Sequence, residues 1–379
     1  MKIVYCIHGT FNSGGMERVI SNKVNYLVNL PNYEVYIVTT GQRGRPHFYE
    51  ISPKVKCIDL DVNYSETTDG NPIARMIESG IKYFRHKARL KKLLFKLKVD
   101  IVISMFTNDV SFLHKIKDGS KKVLEIHFSR EFRLLANRKG IVRLMDIYVT
   151  NLNDRIVAKY DRFVVLTHQD KQSWKSQKNI SVIYNSVTNS DNKIVSSLDN
   201  KKVLAIGRLT YQKNLELLIE LWSKVSKKFP DWILTIVGTG DSKELQQTIF
   251  NNSLDKFIEL VPSTNSIGDY YKESSLYLMT SRYEGLPMVL LEAQNYGLPI
   301  VSFDCKCGPR EIINNGENGY LIENGNMEDF VEKVSRLIEN ERLRNVFGKK
   351  AKLNSSNFSE EIIMKQWVTL FEEVINKKE

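Results

Sequence analysis

Cysteine is scarce in this chain: Cys6, Cys57, Cys305 and Cys307 are four among 379 residues. None has the Cys-x-x-Cys gap of a zinc knuckle or redox pair, and no histidine cluster accompanies the Cys-Lys-Cys at 305–307. A structural zinc or a disulfide scaffold is therefore not expected, and a reducing compartment fits. Long apolar runs are missing too. No stretch approaches the roughly 20 residues that span a bilayer. The opening MKIVYCI is too short for a signal-peptide core and has no small-residue cleavage site, so it reads as a first β-strand of a cytoplasmic protein. The Gly-x-Gly-x-x-Gly spacing of dinucleotide binders does not occur after that strand. Asp59-Leu60-Asp61 lies outside every candidate site, so no metal and no cofactor are expected.

What is present is ordinary for a globular protein: 42% hydrophobic and 26% charged residues, which excludes a disordered chain. The length suits two domains. The charge is less ordinary. Arg75 to Lys98 holds nine Lys/Arg and one Glu, or +8 of the net +11. Such a local patch points to an anionic surface, phospholipid or nucleic acid.

The chain alternates strand-like and helix-like segments. KIVYCIHG, EVYIVTT, VDIVISM, KKVLEIH, YDRFVVLTH and ISVIYNSV read as strands, and MERVISNKVNYLVNL has helical apolar spacing. The polar, Asn- and Ser-rich 185–202 reads as a linker. Alternation then restarts with KVLAIGRL, a helix over 215–229, WILTIVGTG, a helix from about Ser242, FIELV, SSLYLMTS, a helix from Pro287, and PIVSF. The pattern predicts an α/β protein of two doubly wound, Rossmann-like domains.

Three stretches carry chemistry. Gly14 and Gly15 sit just before a helix, where bare backbone and free N–H groups can approach an anion. In AIGRLTYQKN, Arg208 and Lys213 follow a strand end, at the sheet edge where ligands bind, and suit a diphosphate. In SRYEGLPMVLLEA, Pro287 suits a first helical position. That leaves Glu284 in the loop with the amides of Gly285 and Leu286, and Glu292 in the second turn. Loop carboxylates can accept hydrogen bonds from sugar and ribose hydroxyls.

EGLPMVLLE resembles the E-x7-E motif of family 4 retaining glycosyltransferases of the GT-B fold. GRLTYQKN resembles their G-R-L…K-N segment, GGMERVI their N-terminal glycine loop, and GPREIINNGENGYLI (308–322) the loop and strand beyond. The CGPREII form is similar to enzymes that build bacterial cell-surface glycans. The resemblance implies two domains facing across a cleft, 1–190 for the acceptor and 200–356 for the nucleotide sugar, with a final helix in 357–379 crossing back to the first. It implies that Arg208, Lys213 and the Gly15 amide meet the diphosphate, with Gly14 beside it. Glu284 and the Gly285-Leu286-Pro287 turn would hold the donor sugar, and Glu292 the ribose. His127 would sit beside the sugar and orient the acceptor. The segment 259–271 departs from the usual pattern and leaves the base open between UDP- and GDP-linked donors.

The expected reaction is retaining, metal-independent transfer of a hexose or N-acetylhexosamine, UDP-linked in the favoured reading. The acceptor is a hydroxyl of a glycan or polyprenyl-linked glycan in cell-surface polysaccharide synthesis. Alternatives are a sugar-nucleotide epimerase of the same fold and a nucleic-acid-binding protein. The latter needs aromatics interleaved in a recognisable basic module, and only Tyr83, Phe84 and Phe95 stand in the basic run; no nucleic-acid partner is expected. In 73–98, Ile77, Ile81, Phe84 and Ala88 share a helical face, with Lys82, Arg85, Lys87 and Arg89 off it. This suits a helix lying on an anionic membrane, and so a peripheral protein at its inner face. Leu90, Leu93, Leu94 and Leu97 form another face that packs on a sheet.

Overall fold

The computed structural model describes residues 1–66, 72–175, 178–187, 195–264 and 266–376. Part of the linker, 188–194, and Asn265 of the segment 259–271 lie outside the described residues.

The first sheet is built from β1 (Lys2–Ile7), β2 (Glu34–Thr39), β3 (Lys56–Asp59), β4 (Ile101–Ser104), β5 (Lys121–Glu125), β6 (Arg162–Val165) and β7 (Ile180–Val182). Its helices are α1 (Gly15–Leu27), α2 (Pro72–Leu97), α3 (Phe132–Leu135), α4 (Gly140–Val157) and α5 (His168–Ser173). The second sheet comprises β8 (Lys202–Ile206), β9 (Ile233–Gly238), β10 (Ile258–Pro262), β11 (Leu276–Met279), β12 (Ile300–Phe303) and β13 (Gly319–Ile322). With it go α6 (Leu215–Lys228), α7 (Lys243–Asn251), α8 (Ile267–Glu273), α9 (Met288–Asn295), α10 (Pro309–Ile312), α11 (Met327–Glu339) and α12 (Glu341–Ser355). A last helix, α13 (Glu360–Asn376), follows.

The strand orders are β3-β2-β1-β4-β5-β6-β7 and β10-β9-β8-β11-β12-β13, and the paired strands run parallel. Central strands such as Ile101-Val102-Ile103-Ser104 are buried throughout. Helices on both faces demand this, and it explains near-continuous apolar runs in place of alternation. In each sheet the order reverses once, between β1 and β4 and between β8 and β11. Crevices open at such reversals, beyond the carboxyl ends of the strands.

On one face of the first sheet, Leu90 and Leu94 of α2 share a buried cluster with Ile156 and Val157 of α4. On the other face, Ile20, Val24 and Leu27 of α1 pack with Ile363, Met364, Trp367, Leu370, Phe371 and Val374 of α13. Burying each large side chain contributes about 1.5–3 kcal/mol, which holds the final helix on the first domain. A further cluster joins Leu166 and Val187 to Leu286, Leu290, Leu291 and Phe358, so apolar packing runs through the waist.

Several details differ from expectation. The edge strand β3 and the helix α4 have no counterpart in the sequence reading. Pro287 is the N-cap of α9, with ψ 102°, and the helix starts at Met288. Lys82 is buried and pairs with Glu78 at 2.7 Å, so it does not belong to the wet side of α2. Among the described residues, no helix is long and apolar enough to cross a membrane.

Candidate active site

The reversal between β8 and β11 places two loops side by side. Gly207 to Lys213 leaves β8, and Thr280 to Pro287 leaves β11. Thr280 Oγ1 donates to the Asn214 carbonyl at 3.1 Å, Arg282 N to the Gln212 carbonyl at 2.8 Å, and Gln212 Nε2 to the Tyr283 carbonyl at 2.9 Å. Lys213 Nζ then reaches Glu284 Oε1 at 2.6 Å, although 71 residues separate them. A Cβ on Gly207 would stand 3.0 Å from three carbons of the Lys213 side chain. That residue must be small for the lysine to lie across it. Both charged groups are largely buried, Glu284 by 8% and Lys213 by 14% side-chain exposure. Each therefore needs its partner until a ligand supplies another.

Arg208 is exposed. Its charge is felt at Glu17 of α1 and at Tyr283 of the β11 loop, which places it over the space between the domains. Burial pushes the Glu17 carboxyl upward, while its own backbone N–H, Asn12 and Arg208 oppose that. Gly15 is the first residue of α1 and Gly14 its N-cap. A Cβ on Gly15 would lie 3.9 Å from Met288, so the starts of α1 and α9 confront each other across the cleft. The two helix starts thus direct partial positive charge at one region.

Glu292 points to the same side. It accepts a hydrogen bond from Tyr271 at 2.8 Å and lies 3.6 Å from Arg18 Nη1 of the first domain. Burial, then the Glu292 charge, hold the Tyr271 hydroxyl well above its ordinary pKa, so it remains a donor. Leu286 is buried in the waist cluster, so only its backbone faces the loop. His127 follows β5, with Nε2 2.9 Å from Glu125 Oε1. The Glu284–Gly285 loop closes on it: a Cβ on Gly285 would stand 2.6 Å from the His127 carbonyl oxygen.

The structure thus brings Gly14, Gly15, His127, Arg208, Lys213, Glu284, Gly285 and Glu292 to facing edges of the two sheets. Sequence reasoning missed Arg18, Gln212 and Tyr271. Arg18 lies inside GGMERVI, one helical turn after the glycines, and was legible there. Tyr271 ends the segment 259–271, but nothing in that segment singled it out as a partner of Glu292. At the Cys-Lys-Cys pattern, burial pushes the Cys307 thiol up to about 11 and Cys305 well above its ordinary value, which favours the neutral thiol over the thiolate. Among the described residues, no group of three or more His, Cys, Asp or Glu is placed to hold a metal ion.

Comparison with known proteins shows the family of the chain. Residues 13–190 match the family described as Glycosyltransferase Family 4, and residues 186–354 match Glycosyl transferases group 1. The amylovoran biosynthesis glycosyltransferase AmsD of Erwinia amylovora is 34% identical over 379 residues, covering 97% of this chain and 98% of that protein. An uncharacterized glycosyltransferase of Haemophilus influenzae is 31% identical over 97% of this chain and 98% of its own length. Among solved structures, a variant of TarM from S. aureus, in complex with fondaparinux, alpha-GlcNAc-glycerol and UDP, has a TM-score of 0.77 at 20% identity, covering 98% of this chain and 99% of that one. The lipopolysaccharide outer core galactosyltransferase WaaB has a TM-score of 0.71 at 22% identity, with 99% of both chains covered. Two parallel-sheet domains, a cleft at their facing switch points and full-length relatives above 30% identity agree: the chain belongs to the family 4 glycosyltransferases of the GT-B fold.

Proposed function

We propose that this glycosyltransferase moves a hexose or N-acetylhexosamine from a UDP-linked donor to a hydroxyl of a glycan or polyprenyl-linked acceptor in cell-surface polysaccharide synthesis, with retention and without a metal. The observation that carries the reading is the convergence of Arg208, Lys213 and Glu284 on one crevice between the domains. Cleavage of the donor leaves two phosphates whose growing charge must be met. Lys213, Arg208 and the amides at the starts of α1 and α9 are fixed positive groups for that charge. Glu284 receives sugar hydroxyls when the diphosphate takes Lys213 from it, and Glu292 receives the ribose. The acceptor hydroxyl attacks on the departing face, and a phosphate oxygen takes its proton. Residues 1–190, 200–356 and 357–379 serve as acceptor domain, donor domain and returning helix. The names of AmsD and of a 25% identical lipopolysaccharide 1,6-galactosyltransferase of Salmonella typhimurium support the pathway. The UDP in the TarM complex supports the base.

The acceptor domain also has a surface suited to the inner face of an anionic membrane. Met76, Ile77, Ile81 and Phe84 of α2 are more than half exposed, beside exposed Arg75, Arg85 and Arg89. Ile141, Leu144, Met145 and Tyr148 of α4, on the same face of the sheet, are exposed as well. In both helices most of the exposed apolar side chains lie in the first half. Apolar side chains beside basic ones suit a lipid interface.

The test is incubation of the protein with UDP- and GDP-sugars and glycan acceptors, followed by NMR of the product. Transfer from a UDP-sugar with the donor's anomeric configuration supports the reading. Inverted product, or turnover of GDP-sugars alone, overturns the corresponding part.

A further inference from the structure

Beneath the cleft lies a buried charge chain that the reaction scheme does not use. Strand β5 alternates its side chains between the two faces of the sheet. Leu124 joins the cluster on the α2 face, and Val123 the cluster on the α1 face. Glu125, two residues after Val123, therefore enters an apolar layer, and it is fully buried. Lys23 of α1 enters the same layer with a side chain 2% exposed and pairs directly with Glu125 Oε1. The Lys23 ammonium stands 3.7 Å from the ring centre of Trp367 in α13. The other neighbour of Glu125 Oε1 is His127 Nε2, at 2.9 Å. Both ring nitrogens of His127 and Glu125 Oε2 are buried without an aligned hydrogen-bond partner, so Nε2 and Oε1 meet as a close polar contact and not as a formed hydrogen bond.

A buried ion pair adds little stability over apolar side chains of the same size, so its presence calls for another reason. Here the carboxylate is shared between a cation that keeps it ionised and the imidazole at the cleft wall. Burial alone would raise the Glu125 carboxyl, but Lys23 and His127 together hold it well below the usual carboxylate range. An ionised Oε1 beside Nε2 favours a proton on that nitrogen and holds the imidazole at the cleft wall through its charge. Trp367 closes the far side of Lys23, so the returning helix completes the chain.

We propose that Glu125 is a positioning residue for His127, held ionised by Lys23 and roofed by Trp367. This rests on the reading of His127 as a group beside the donor sugar. The sequence contained the signal, two polar residues at i and i+2 ending an apolar strand in Leu-Glu-Ile-His, one pointing into a core.

The test is a double-mutant comparison of steady-state kinetics, on full-length protein. Glu125→Gln keeps the shape and removes the charge. It should lower kcat roughly tenfold or more, as misplacement of a reacting-site group does, with little change in donor KM. In a His127→Ala background the same substitution should cost nothing further. If Glu125→Gln destabilises the fold, Lys23→Met with Glu125→Gln removes both charges and gives the same kinetic readout. Equal losses in both backgrounds would overturn the positioning role while leaving the reading of His127 intact. A His127→Ala enzyme with wild-type kcat would overturn that reading itself.

Discussion

Gly285 is where the two domains come closest to the proposed chemistry, and Gly285→Ala probes that contact with a single methyl group. The added Cβ would stand 2.6 Å from the His127 carbonyl oxygen and 3.0 Å from the His127 carbonyl carbon and Phe128 Cα. All three are backbone atoms of the opposite domain, so no side chain can swing aside. Ordinary contact begins near 3.4 Å, so the gap to the oxygen must widen by 0.8 Å. The cleft has to open by about that much, or the Glu284 loop must withdraw from His127. Displacing reacting groups by about 1 Å costs on the order of 10²-fold in rate. The expectation is a kcat about 10²-fold lower, read as nucleoside diphosphate release, with the protein still folded. Gly80→Ala in α2, where a Cβ meets nothing within 4 Å, is the control; it should keep full activity and gain about 0.5–1 kcal/mol in stability. Wild-type kinetics in Gly285→Ala would refute the claim that the closed contact between this loop and His127 matters to the reaction.

Arg208→Ala and Lys213→Ala should each lower turnover about 10²-fold or more, as loss of one charge-stabilising donor does; near wild-type kinetics in both would remove the diphosphate assignment. Glu125→Gln alone leaves Lys23 buried without its partner and should cost about 3–5 kcal/mol in urea unfolding, whereas Lys23→Met with Glu125→Gln should recover most of it; equal losses would contradict the pairing. The folded-state pKa of Glu125 lies below its unfolded value, so its stabilisation is complete above about 4.5 and fades as the pH falls below that; the double variant should flatten this acid limb, and an unchanged limb would show that other carboxylates set it. EDTA should leave activity intact, and a loss restored by Mg²⁺ or Mn²⁺ would contradict metal independence. Flotation with anionic vesicles should carry the protein, and Ile77→Glu with Phe84→Glu should weaken it; equal recovery with uncharged vesicles would rule out the basic surface as the cause.

Much of the fold was legible because parallel strands buried on both faces announce themselves. Ile101-Val102-Ile103-Ser104 and Ile300-Val301-Ser302-Phe303 can hardly be anything else between polar turns. Strand β3 escaped because it is a sheet edge, short and mostly exposed, and its Lys-Cys-Ile-Asp has no apolar pattern. Helix α4 escaped for a different reason. Its apolar stripe at 141, 144, 145 and 148 faces outward, while Asp146 and Asp154 turn inward and pair with Arg138 and Arg130. A pattern that assumes apolar means core reads such a helix inside out. The site divides in the same way. Lys213 and Glu284 sit within recognisable motifs at strand ends, but their 2.6 Å contact depends on two loops 71 residues apart meeting at the β8–β11 reversal. Tyr271 and Arg18 reach Glu292 only because α8 and α1 come to it from different domains. Long-range partners of this kind leave no spacing to read.

The central claim is that a nucleoside diphosphate sits between the two sheets on Lys213 and Arg208. Calorimetric titration of the full chain with UDP and GDP, repeated on Lys213→Ala, tests it most directly. The account predicts saturable one-to-one binding of a nucleoside diphosphate, UDP the tighter, weakened at least tenfold by the substitution. Absence of binding by either nucleotide, or equal affinity in Lys213→Ala, would contradict it.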